Sequence, residues 1–506
     1  MNSTPIRKIV IVGGGTSGWM TAALLSRSLG TQNYDITLVE SDAIATVGVG
    51  EATIPPLTRF NELLGIDENE FLSETNGAIK LGIQFVNWRL PGTTYFHPFG
   101  YYGADMDTAI FQHLWLRYAK MGGNPDYGLY NMETMAAREN RFARTPDDRS
   151  GLPKVNYAYH FDAGLYAAYL RRYAEKRGVV RREGLVVQVD QDALNGHITG
   201  VQLKDGRLIA GDFFVDCSGF RGLLIEQTLK SGYTDWSGWL PNNRAVAAPS
   251  ANVEAPVPYT RATAQEAGWH WRIPLQHRTG QGYVFCDAFI SEQEATDRFV
   301  SRLDGGLLAD PKILKFVAGH RNRMWHKNVV AVGLASGFME PLESTSIHLI
   351  QRSIVKLMRM FPKDGIYDAL VDQYNAEMLS EYTFIRDFLI AHYKVTERED
   401  TPYWKRNKYM EIPDSLKARL DIFVRQGEVM VQTEDLFRDP SWFAVLVGQG
   451  LCPRNYHVAA DTLSEDDLKI RLMHLRNDIQ TRLKTLTTHE AFLARHCPAK
   501  TLQAVD

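Results

Sequence analysis

The chain has 506 residues, 44% hydrophobic and 23% charged, and its 56 basic and 59 acidic side chains leave a formal net charge of -3. A prior of about 150 residues per domain predicts two or three packed units, and the near-neutral balance points to neither a nucleic-acid nor a membrane partner. The four cysteines, Cys217, Cys286, Cys452 and Cys497, are far apart and form no CxxC pair, which argues against a structural zinc site and a disulfide framework. No signal-peptide core or apolar run of about 18 residues is found, so a cytoplasmic protein is expected.

The chain opens with a strand pattern from Lys8 to Val12, a glycine turn from Gly13 to Gly18, a helical stretch from Trp19 to Leu29 and a second strand from Ile36 to Glu40. That is a βαβ opening. In Ile79 to Phe85 the odd positions are apolar and the even ones are not, so Lys80 is expected to point away from the buried face, and by itself reads as a solvated strand lysine. A region of aromatics, prolines and glycines runs from about Thr93 to Leu152. A strand from Leu185 to Val189 then leads through a hairpin pattern at Val201 to the buried strand that ends in Asp216-Cys217-Ser218-Gly219.

Between Tyr233 and Phe299 short aromatic alternation, as in Trp269-His270-Trp271-Arg272-Ile273-Pro274, predicts an antiparallel sheet forming one wall of a cleft. Asn328 to Gly333 is again an apolar strand running into glycine, so the first module is discontinuous. Helices dominate from about Ser346, beginning with Ile347, Ile350 and Ile354 at helical spacing. The last long helix starts at Ser464 with Asp467 as its capping box and carries Leu468, Leu472, Leu475, Ile479, Leu483 and Leu486 as a core stripe.

Gly13, Gly15 and Gly18 form GxGxxG between strand and helix, and Glu40 closes the second strand. The glycines permit a tight turn, close approach of backbone to a pyrophosphate and close helix packing, with the phosphates at the helix N-terminus. An acid at Glu40 suits ribose hydroxyls and disfavours a 2'-phosphate, so FAD or NAD is expected rather than NADP.

Ile9 to Ala23, Asp216 to Gly219 and Val329 to Gly333 occur in the order of flavin monooxygenase-type folds. Together with Gly48-Val49-Gly50-Glu51-Ala52-Thr53-Ile54-Pro55, the WxWxIP motif at Trp269 to Pro274 and Glu340-Pro341-Leu342-Glu343-Ser344-Thr345, the chain resembles the flavin-dependent tryptophan halogenases over roughly residues 5 to 460. The resemblance implies an α/β, FAD-binding Rossmann-type fold with an antiparallel substrate-side sheet and a helical C-terminal region. The expected division is an FAD module in three parts, 1-92, 153-222 and 316-352, a substrate-side insertion at 93-152, a cleft-wall sheet at 223-315 and a helical subdomain at 353-506.

The implied activity uses reduced FAD, oxygen and chloride or bromide to make hypohalous acid, which halogenates tryptophan, indole or an indole derivative. A separate flavin reductase would supply the reduced FAD, and the oligomeric state, a homodimer among the options, stays open. Lys80 and Glu343 match the family's catalytic lysine and glutamate. Gly13, Gly15, Thr16, Ser17, Gly18, Glu40, Ala52, Val187, Leu334 and Ile347 are the implied flavin contacts, and Trp269, Trp271, Ile273 and Pro274 the implied shield between flavin and substrate. Thr345 and Ser346 match the halide site, although the family commonly has glycine at the second position. His97, Phe99, Trp442 and Phe443 are the implied substrate-side residues. Two rivals stand beside this reading, an FAD-dependent aromatic hydroxylase and a non-catalytic FAD-binding protein; the first is weakened because Val332 to Ser336 lacks the Gly-Asp pair common in hydroxylases.

Overall fold

The computed structural model describes residues 5–44, 50–106, 108–144 and 155–500. Gly48 and Val49 of the second motif, and the end of the aromatic insertion, lie outside them. A six-stranded sheet has the strand order Trp325–His326, Val329–Ala331, Phe213–Asp216, Lys8–Val12, Asp35–Glu40 and Val180–Glu183. All its neighbours are parallel except the first pair. The sheet thus draws its strands from widely separated stretches. Its central strands are continuous apolar runs, as expected of a sheet covered on both faces.

Gly13 follows the first strand at φ +114, and a Cβ there would stand 2.2 Å from the Cys217 carbonyl oxygen, so the turn tolerates only glycine. The helix begins at Thr16, three residues earlier than the apolar pattern suggests, because Gly15 is already extended and serves as its N-cap.

The second sheet has seven strands in the order Lys312–Lys315, Arg244–Ser250, Thr279–Phe285, Gly268–Pro274, Thr260–Gln265, Gly82–Val86 and Thr94–Pro98. It is antiparallel except where Thr260–Gln265 meets Gly82–Val86. Every residue of Gly268–Pro274 is buried, and Trp271 lies across from Gly282, whose missing side chain leaves room for the indole. Behind this sheet lie the C-terminal helices, including the 27-residue Asp368–Lys394. The helix Glu465–Leu483 is capped by Ser464, whose Oγ accepts from the Asp467 N–H. It buries Leu468, Leu472 and Leu483, with Leu475 and Ile479 half-buried and Leu486 packed in the turn beyond its end. Among the described residues no helix is long and apolar enough to cross a membrane.

The segment around Lys80 departs from the expected continuous alternating strand. It breaks at Leu81: Ala78–Lys80 belongs to a small sheet with Ala158–Asp162 and Gly50–Ala52, while Gly82–Val86 joins the seven-stranded sheet. Both faces of Ala78–Lys80 are buried, so an even position does not mean solvent here. The backbone of this short strand is held by a residue from the far end of the chain: the Ile79 N–H donates to His489 Nε2 (3.1 Å), and His489 Nδ1 lies 2.6 Å from the Pro256 carbonyl oxygen. Those partners require the neutral ring with its proton on Nδ1.

Burial accordingly pushes the His489 pKa down to about 4, and does the same at His270. The unfolded chain therefore binds more protons than the folded one between pH 6.5 and 4. Stability is full above pH 6.5 and is expected to fall by on the order of 3 kcal/mol per such histidine as the pH drops through that window. Urea unfolding at pH 7 and pH 4.5 checks this, and His489→Gln should show a smaller drop than the parent; an equal drop would remove His489 from the acid response.

Candidate functional site

A cavity of about 470 Å³ runs from the glycine turn to the tryptophan strand. Gly13, Gly15, Thr16, Ser17 and Glu40 line one end. Gly15 has nothing within 4 Å of where its Cβ would be, so the turn presents open backbone N–H groups and a helix N-terminus to the cavity. Gly18 lies instead in the first turn of the helix, where a Cβ would strike the Gly13 carbonyl, so its role is packing. Glu40 reaches the cavity with one carboxylate oxygen held by Arg181 and the other 3.3 Å from Trp19 Nε1. A long cavity with a phosphate-ready turn at one end, an acid beside it and an apolar middle fits a dinucleotide such as FAD.

Ala52, Leu334, Ser346 and Ile347 line the rest, as do Trp269, Trp271 and Ile273 on alternate positions of one strand. Pro274 ends that strand outside the lining. Val187 does not reach the cavity: its side chain is 58% exposed, and the wall at that turn is formed by Gly184, Leu185 and Val186. Glu51, quoted in the second motif without a role, also lines the cavity, and burial, with Asp162 adding to it, pushes its carboxyl up to about 7.

Lys80 and Glu343 lie deeper, at 0% and 1% exposure. Lys80 Nζ donates to the Thr53 carbonyl oxygen (2.9 Å) and to Ser344 Oγ (2.7 Å), and sits 5.1 Å from the Phe99 ring centre. Three separate sequence motifs therefore meet at one ammonium. Burial pulls its pKa down to about 7, against the opposing field of Glu343. Ser344 adopts the left-handed conformation (φ 59), reversing the chain between the Pro341–Glu343 turn and the helix Ser346–Arg359. Because Ser344 also lines the cavity, it stands between cavity and lysine.

Glu343 is flanked by two imidazoles. His97 Nδ1 lies 2.9 Å and 3.1 Å from its two oxygens, and His392 Nε2 lies 2.8 Å from Oε1. Burial works to raise the Glu343 pKa, but these neighbours outweigh it and hold the group at about 2. His392 Nδ1 is 2.8 Å from the Phe388 carbonyl oxygen, which accepts only, so that nitrogen carries a proton. Thr345 is the N-cap of the following helix, and its buried Oγ1 has no hydrogen-bond partner among the described residues. That leaves a polar atom beside free first-turn N–H groups, a place an anion suits.

Around the two histidines lies an aromatic box. Phe388 packs on His97 (5.6 Å), stacks face to face on Phe437 (4.0 Å) and meets Trp442 edge-on (4.8 Å). Phe443 turns the other way, into a core with Trp115 and Tyr127, because neighbours on a helix point about 100° apart. His392, Phe388 and Phe437 were not foreseen. A lone histidine in the apolar run Phe388 to Tyr393 reads as core, and nothing local ties it to Glu343.

Known proteins resemble the chain over most of its length. A family profile described as "Tryptophan halogenase" matches residues 8–465. The tryptophan 6-halogenase ThaL of Streptomyces albogriseolus is 37% identical over 491 residues, 89% of this chain and 90% of that protein. Among solved structures, Xcc4156, a flavin-dependent halogenase from Xanthomonas campestris, superimposes with TM-score 0.95 at 47% identity over 98% of this chain and 100% of that one. BrvH, a flavin-dependent halogenase from Brevundimonas sp. BAL3, gives TM-score 0.94 at 39% identity over 97% and 99%.

Proposed function

Because this chain belongs to the tryptophan halogenase family, we propose that it halogenates an electron-rich indole-type ring, tryptophan, indole or an indole derivative, with Lys80 and Glu343 at the reacting centre. The family membership disfavours both the hydroxylase and the non-catalytic alternative. Gly13, Gly15, Thr16, Ser17, Glu40, Ala52, Leu334 and Ile347 would hold FAD, which in its reduced form would supply, with oxygen, the oxidation of chloride or bromide to hypohalous acid. A separate flavin reductase delivers the reduced cofactor, and the cytoplasm is the setting. The observation that carries the assignment of the centre is the burial of Lys80 and Glu343 together, with Ser344 as the link to the cavity.

Thr345 and Ser346 hold the halide at the helix N-terminus, through backbone N–H groups and the unpaired Thr345 hydroxyl. Lys80 as ammonium has three N–H bonds, of which Thr53 and Ser344 take two. The third donates to the oxygen of hypohalous acid. As a ring carbon bonds the halogen, the oxygen–halogen bond breaks and the oxygen leaves as water with the proton from Lys80. Glu343, ionised and acceptor-only, takes the ring proton, which returns to the Lys80 amine, so the sum is arene plus hypohalous acid to haloarene plus water. His97 and His392 keep Glu343 charged for that step, and Phe99 and Trp442 form part of the aromatic surroundings of the ring.

The test is mass spectrometry of purified protein with FAD, NADH, a generic flavin reductase, oxygen and bromide or chloride, over tryptophan, indole and phenols. A product carrying the halogen isotope doublet, lost in Lys80→Ala, is expected. A product heavier by one oxygen would return the assignment to a hydroxylase.

A further inference from the structure

Glu340 opens the segment that ends in Glu343 and Ser344, and it is a buried acid with no lysine or arginine partner among the described residues. Three donors converge on its Oε2: Trp269 Nε1 at 2.8 Å, Tyr393 Oη at 2.6 Å and Asn242 Nδ2 at 2.9 Å. Tyr403 Oη in turn donates to Asn242 Oδ1 at 2.9 Å, which fixes the orientation of that amide. Oε1 has no hydrogen-bond partner among the described residues. Burial raises the pKa of the group, while the three donors and the field of His392 oppose it.

An acid in this position is costly. A buried carboxylate without a lysine or arginine partner loses its hydration, and three neutral donors recover only part of it. What the arrangement achieves is geometric: only an acceptor-rich oxygen accommodates three donors from three directions. Those donors come from the tryptophan strand, from the helix Asp368–Lys394 and from the loop before Arg244–Ser250. Trp269 lines the cavity, and the chain bearing its acceptor turns into the catalytic segment three residues later.

We propose that Glu340 is a positioning residue: its carboxylate clamps the Trp269 indole to the turn carrying Glu343, so that oxidant generated in the cavity reaches Lys80 instead of escaping to solvent. This rests on the halogenase reading above. With the clamp intact, the wall and the catalytic turn move as one body. Without it, the indole is free to rotate, the wall opens, and hypohalous acid is lost at unchanged flavin turnover.

The experiment compares the parent with Glu340→Gln and Glu340→Leu. Gln keeps the shape and one acceptor oxygen but places an amide among the donors; Leu removes every acceptor. Three quantities are read: flavin reoxidation rate, halogenated product per flavin oxidised, and free hypohalous acid trapped by an excess of a small enolisable β-diketone. The expected result is an unchanged reoxidation rate, a product yield lower on the order of tenfold or more in Leu and by less in Gln, and trapped oxidant rising to match. In cofactor-free protein, the Trp269 indole N–H, assigned with Trp269→Phe in an indole-nitrogen NMR spectrum, should exchange with solvent faster in both variants. Yields equal to the parent's, or yields that fall only in step with flavin reoxidation, overturn the proposal, and so does an unchanged Trp269 exchange rate. If Leu does not fold, Gln decides alone. A parent that makes no halogenated product at all overturns the halogenase reading instead, and the Trp269 exchange then still decides whether the clamp exists.

Discussion

Lys80→Met is expected to abolish ring halogenation and yet unfold at a higher temperature than the parent. The lysine is fully buried and its pKa is drawn from 10.5 to about 7, chiefly by burial. Near pH 7 this is a cost to folding on the order of 4 kcal/mol relative to a group left at its ordinary value. Methionine is similar in length, apolar and adaptable in packing. It forfeits two hydrogen bonds from a charged donor, to Thr53 and Ser344, worth about 1.5 kcal/mol each. The balance is a gain on the order of 1 kcal/mol.

The sign is checkable by pH. A lysine with a lowered folded pKa makes the unfolded chain bind more protons between pH 7 and 10.5, so parent stability rises across that window. The advantage of Lys80→Met is therefore largest at or below pH 7 and shrinks toward pH 10.5. Urea titrations at pH 7 and pH 9 measure it. A variant less stable than the parent at both would mean that the two hydrogen bonds outweigh desolvation, and that Lys80 is a structural lysine as well.

What the sequence revealed, and what it hid, follows from the range of each interaction. The βαβ opening was readable because its determinants are local: an apolar run, glycines required by the Cys217 contact, an acid at the end of the second strand. Trp269 and Trp271 were placed on one face by simple alternation, and both do line the cavity. The same reasoning misled at Lys80. Alternation marks solvent only where a single sheet has a wet face, and here the chain changes sheets at Leu81 with both faces covered. Val187 misses the wall while Val186 reaches it. Trp442 and Phe443, adjacent in sequence, face different neighbours because a helix separates them.

The imidazoles around Glu343 lie beyond any local signal. His97 comes from a strand 246 residues earlier, and His392 from the last turn of a long helix. Resemblance supplied His97. His392 emerges only when that helix is packed against the Pro341–Glu343 turn.

Those imidazoles set the last expectation: Glu343→Gln should lose on the order of 10²–10⁴ in ring halogenation while flavin-driven halide oxidation continues. The amide preserves the shape but cannot accept the ring proton. Hypohalous acid should still form, and a solution trap should collect it as aromatic product disappears. Because Glu343 is held at about 2, it stays ionised throughout the working range, so it contributes no acid limb to the pH profile near neutrality. On the proposed mechanism, in which the Lys80 ammonium donates the proton, the alkaline limb belongs to Lys80: single-turnover halogenation by the parent should decline as the pH rises through about 7. The Glu343 charge supports that ammonium, so removing it lowers the Lys80 pKa further. Residual activity in Glu343→Gln should accordingly decline at a lower pH than in the parent. An alkaline limb that stays where it was would mean that Lys80 and Glu343 do not share a field, and that the proton returned to Lys80 comes from elsewhere; a limb that rises with pH would assign the chemistry to the neutral amine.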